Sequence, residues 1–69
     1  MKPVSGRRMC QVLQRRGWRV IRVKGSHFTH VLPGGPPDLV VVPVHGNHEL
    51  RPGTQKDIMR AAGLTDADL

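Results

Sequence analysis

Arg22, Lys24, Ser26 and His27 fall within one short stretch, and their types and spacing suit chemistry on a phosphodiester. An imidazole titrates near about 6.5, so a histidine can accept or release a proton at neutral pH. Two fixed positive charges immediately before it can hold a phosphate and stabilise added charge on phosphorus. Gly25 can take a positive φ and lets a substrate backbone approach closely. Ser26 can bond either a phosphate oxygen or the local backbone. A two-residue Gly-Ser turn between two β-rich runs would hold His27 at the end of a strand.

The rest of the chain is a small frame for that stretch. Sixty-nine residues with one Trp, one Phe and no Tyr make a single domain, residues 1–69, with a small and mostly aliphatic core. The net charge is +6, and eight of the eleven basic residues precede the first acid, Asp38. A cationic first half attracts nucleic-acid phosphates or an acidic protein, and charge alone does not separate the two. The single Cys excludes an intrachain disulfide and places Cys10 as a core filler in a reducing compartment. The charged N-terminus has no apolar stretch behind it, and no apolar run approaches the roughly 18 residues of a membrane span, so a cytoplasmic protein is expected.

Helical spacing predicts a first helix capped by Ser5 and running to about Arg16, with Met9, Cys10, Val12 and Leu13 on one stripe. Gly17 ends it, and Trp18 folds back onto that end as core. On the opposite face Arg8 and Arg15, with Gln11 between them, form a ridge suited to phosphate contact. Val20, Ile21 and Val23 predict a strand up to Lys24, although Ile21 breaks its alternation. A second strand, 27–32, sets Phe28, His30 and Leu32 on one face and His27, Thr29 and Val31 on the other. Phe28 and Leu32 claim the core, which turns His27 toward solvent or substrate and leaves His30 inward, or at the sheet edge, as a structural group.

Residues 33–38 cannot continue a ladder and form an exposed loop. The run 39–42 suits a strand packed on both faces or lying beneath two helices, with Pro43 marking the sheet edge. Gly53-Thr54 opens the second helix, Thr54 as N-cap and Asp57 completing a capping box. Ile58, Met59 and Ala62 make its buried side, Lys56 and Arg60 the other, and Gly63 ends it. The tail Thr65–Leu69 adds a capped turn. The order α-β-β-β-α predicts an α+β fold, a three-stranded antiparallel sheet with both helices on one face.

Lys24-Gly25-Ser26-His27, then Val42-Pro43-Val44-His45, then Arg51-Pro52-Gly53-Thr54 leading into Ile58-Met59-Arg60-Ala61-Ala62-Gly63-Leu64 follow one another in a pattern that resembles the HicA toxins of prokaryotic toxin–antitoxin modules. The resemblance covers nearly the whole chain. It implies a fold like the double-stranded-RNA-binding domain, ribosome-independent cleavage of mRNA, and neutralisation by a HicB-type antitoxin that covers the active site. It also implies that the histidine of the Gly-Ser-His motif, here His27, is the catalytic residue.

The chemistry of these residues agrees with that implication. RNA is cut without a metal when its 2′-hydroxyl attacks the adjacent phosphorus, a base takes that proton, an acid protonates the leaving 5′ oxygen and cations stabilise the phosphorane. His27 fits the role of general base or acid, Lys24 that of phosphorane stabiliser with Arg22 nearby, and Ser26 and Gly25 position the substrate. No second acid is evident. His27 and His30 lie three apart on a strand and point to opposite faces, so only the loop pair His45 and His48 could share a metal, and no metal or other cofactor is expected. Two other classes compete: a non-catalytic RNA-binding module that grips RNA by shape, and a protein-interaction partner whose nuclease has decayed.

Overall fold

A computed structural model describes residues 1–69 in the order α1 (Gly6–Arg15), β1 (Arg19–Lys24), β2 (His27–Val31), β3 (Val40–Pro43), α2 (Pro52–Ala62) and a closing 3-10 turn (Asp66–Asp68). The three strands form one antiparallel sheet in the order β1-β2-β3. Both helices lie against β3. This is the expected α-β-β-β-α architecture of the double-stranded-RNA-binding type. No helix is long and apolar enough to cross a membrane.

Helix α1 begins where Ser5 accepts a hydrogen bond from the Arg8 N–H at 3.0 Å. It ends with Gly17 in the left-handed region, where the Gly17 N–H donates to the Gln14 carbonyl and the Trp18 N–H to that of Leu13. That pair of bonds satisfies carbonyls the helix would leave bare and folds Trp18 into the core. Met9, Cys10, Val12 and Leu13 are all buried, as their spacing predicts. The thiol of Cys10 is pushed up from its ordinary pKa by that burial, which keeps it protonated and inert. Gly6 is required by proximity: a Cβ there would overlap the Pro43 carbonyl oxygen, so only glycine lets α1 start directly against the end of β3.

Helix α2 starts three residues earlier than a Thr54 cap would place it. Pro52 occupies its first position, Arg51 is the N-cap with no side-chain hydrogen bond, and Thr54 lies inside the first turn. Proline needs no N–H partner and already has helical φ, so it draws the start back, and the Thr54–Asp57 capping box does not form. The buried stripe of α2 begins with Gln55, whose amide fastens the N-terminal segment: Oε1 accepts from the Val4 N–H at 3.1 Å and Nε2 donates to the Lys2 carbonyl at 2.6 Å. The Leu50 N–H completes the fastening through the Val4 carbonyl at 2.9 Å. Gly63 ends α2 with the same two-bond pattern seen after α1. The closing turn is capped by Asp68, which accepts from the Thr65 N–H at 2.7 Å and from the Arg16 guanidinium at 2.6 Å. Those bonds, the Thr65 one foremost, hold the Asp68 carboxyl below the usual carboxylate range.

Strand β3 is covered on one face only, not on both. Val40 and Val42 are buried, whereas Val41 remains 45% exposed and Leu39, just outside the strand, is exposed. The helices therefore cover one sheet face and leave the other bare.

Candidate active site

The register decides which side chains share the bare face. Val41 pairs with Thr29 and Pro43 with His27; across β1, Arg22 pairs with Thr29 and Lys24 with His27. Paired residues project to the same side of a sheet, so Arg22, Lys24, His27, Thr29, Val41 and Pro43 form one uncovered patch. Ile21, the residue that breaks the alternation of β1, coincides with a register shift between Val20 and Arg22. The bulge absorbs one residue and lets both Arg22 and Lys24 reach the bare face. Without it, one set of charges would face the helices.

His27 is exposed, as expected, at the first position of β2. The turn before it has Gly25 at φ 57 and Ser26 at negative φ, the sequence of signs of a two-residue type II′ hairpin turn. The Ser26 carbonyl accepts from the Val44 N–H at 2.7 Å, which ties the turn to the chain leaving β3. Because the N–H of residue 44 faces β2, position 43 faces away, and the missing N–H of Pro43 costs the ladder nothing. Lys24 and Arg22 are exposed on the bare side, and Ser26, in the turn just before His27, is half-buried.

His30 is the inward histidine. It is fully buried on the helix side, and Nδ1 lies 3.1 Å from the Phe28 carbonyl. A carbonyl only accepts, so Nδ1 carries the proton and Nε2 is a bare acceptor with no partner. Burial pulls the pKa of this ring down, with backbone hydrogen bonds opposing it only in part. His27 and His30 thus point to opposite faces and share no ligand.

Arg8 and Arg15 do not join His27. They line a shallow groove with Gln11 and Gln14 on α1, on the helix side of the molecule. The Arg8 guanidinium is engaged there, donating to Gln11 Oε1 at 3.3 Å and to the Leu69 carbonyl at 3.2 Å.

Two features escaped the sequence reading. Thr29 is only 3% exposed although it projects to the bare face, because β2 is central and Arg22 and Val41 flank it. Alternation places Thr29 correctly but carries no information about its neighbours. Gln55 is 1% exposed, and its spacing from Ile58, Met59 and Ala62 marks it as part of the buried stripe of α2. Beyond β3, His45 and His48 occupy the two ends of a β-turn closed by the His48 N–H and the His45 carbonyl at 3.0 Å. Both line a cavity of about 370 Å³ with Pro43, Glu49, Arg51 and Thr54. No third metal-binding side chain is gathered with them closely enough to share one ion.

A family model described as the HicA toxin of bacterial toxin-antitoxin matches residues 6–64, from the first residue of α1 to the residue after the α2 cap. No curated protein matches the chain.

Proposed function

This chain belongs to the HicA family of toxins from bacterial toxin–antitoxin systems, and on that premise we propose that it is a metal-independent endoribonuclease that cuts mRNA on the bare face of its sheet. A toxin of such a system has an antitoxin as partner. The observation that carries the reading is the pairing of Lys24 with His27, an accessible imidazole beside an accessible ammonium on a face that no helix covers.

His27 transfers a proton to or from the reacting ribose-phosphate. Lys24, directly across, meets the charge that accumulates on the phosphorane, and Arg22, two pairs further along on the same face, grips the next phosphate of the strand. The hairpin turn gives the backbone of Gly25 and the hydroxyl of Ser26 access to a phosphate oxygen. The Arg8 and Arg15 groove lies on the other side of the molecule and contributes long-range attraction for RNA. A HicB-like antitoxin neutralises the toxin by covering the His27 face, where exposed cations lie beside exposed Val41 and suit an acidic partner with an apolar contact.

The test is incubation of labelled single-stranded RNA with the protein and with His27→Ala in EDTA, followed by analysis of fragment ends. Fragments ending in 2′,3′-cyclic phosphate, produced by the parent and absent with the variant, are the expected result. Retarded but intact RNA in both lanes would make the chain a binding module instead.

A further inference from the structure

On the reading that this is a metal-independent ribonuclease, one of the two proton transfers has no donor. A single imidazole serves one of them in the cleavage step. The chain leaving β3 supplies the other group. Pro43 stands opposite His27, and the Val44 N–H donates to the Ser26 carbonyl at 2.7 Å, so the pairing with β2 continues one residue past the end of the strand. The next residue, His45, comes level with the Gly25-Ser26 turn. Alternate residues of an extended chain share a face, and His45 lines one cavity together with Pro43, the residue opposite His27.

His45 lies two residues past Pro43, just outside the strand; diagonal positions across a ladder are about 7–8 Å apart, within reach of long and aromatic side chains. That is room for one phosphodiester between two imidazoles. His45 is exposed, and the turn ending at His48, with Gly46 at φ 57, fixes the chain just after it. Lys24 stands across from His27, and His45 shares its cavity with Glu49 and Arg51. The remaining histidines are placed differently: His30 is buried on the helix side and His48 sits at the far end of the turn.

We infer that His45 is the general acid of the reaction and His27 the general base. The 2′-oxygen attacks phosphorus while its proton passes to His27; the O2′–P bond forms and the P–O5′ bond breaks. The electron pair of the broken bond stays on the 5′ oxygen, which takes its proton from the His45 imidazolium. The products are a 2′,3′-cyclic phosphate and a 5′-hydroxyl, and each ring returns to its starting state by proton exchange with water.

The decisive experiment compares two substrates of one sequence, ordinary RNA and RNA whose scissile linkage carries sulfur in place of the bridging 5′ oxygen. A thiolate departs without needing a proton. His45→Ala is expected to cut ordinary RNA about 10²-fold more slowly than the parent, or slower still, and the sulfur-bridged RNA within a few-fold of the parent, while His27→Ala is slow on both. His45→Gln, which keeps a polar side chain of similar size, is expected to behave as His45→Ala does. Equal losses on the two substrates, or no loss on ordinary RNA, would overturn the assignment to His45. A parent protein that leaves ordinary RNA intact would overturn the ribonuclease reading on which this inference rests.

Discussion

β1 and β3 flank the same central strand and differ in nearly everything else. β3 contributes Val40 and Val42 to the core, meets both helices, and forces glycine at position 6 by its closeness to α1. β1 is exposed along its whole length, carries Arg19, Arg22 and Lys24, and keeps its register through a bulge. Its helix-side residues Val20 and Val23 are exposed as well. One edge of the sheet holds the domain together, and the other presents charge to solvent. That separation leaves side chains on β1 and at the start of β2 free to change at little cost in stability.

The comparison breaks first at His27. His27→Ala should slow RNA cleavage by roughly 10²–10⁴-fold and leave the melting temperature unchanged, read on one preparation by gel assay and thermal melt. On the other side of the division, Leu13→Ala empties a fully buried site behind β3 and should cost about 2–5 kcal/mol. A chain of this length has roughly 3–10 kcal/mol in total, comparable to that loss, so the variant should be partly unfolded at 37 °C by circular dichroism. Lys24→Ala should reduce cleavage by about 10-fold to 100-fold and flatten its dependence on salt, without a shift in melting temperature.

His30 sharpens the contrast by pH. In the unfolded chain an imidazole titrates near about 6.5, and in the fold burial lowers that value. Between the two values the unfolded chain binds a proton that the folded chain does not, so stability falls as pH drops below about 6.5 and continues falling to the folded-state pKa. Melting should therefore come earlier at pH 5 than at pH 7.5, and His30→Leu should reduce that difference. The smallest effect belongs to β1: Val23→Ser, on an exposed position, should stay within about 0.5 kcal/mol of the parent.

Much of this arrangement was legible from residue types and spacing. The apolar stripe of α1, its Ser5 cap, the fold of Trp18 onto the helix end and the outward direction of His27 all follow from local periodicity, which sequence records directly. The irregular Ile21 even marked the bulge. Three things were not legible. The start of α2 was misplaced because a capping-box pattern at Thr54 competed with Pro52, and the fixed φ of proline prevailed. The apolar run 39–42 by itself fitted a strand packed on both faces as well as one beneath two helices, and only the second holds. The bond from Val44 to Ser26, which carries the pairing past the end of β3, joins residues far apart in the chain, and nothing in either segment announces it.

The central claim is that the bare face around Lys24 and His27 is where RNA is held. The most direct test is an NMR titration of the intact protein with an RNA carrying a 2′-deoxyribose at the scissile position, which binds and cannot be cut. The account predicts that signals from Arg22, Lys24, Ser26, His27, Thr29 and Val41 move with a common affinity while those of Gln11, Gln14 and Arg15 on α1 stay in place. Shifts centred on the α1 groove, with the His27 signals still, would contradict it.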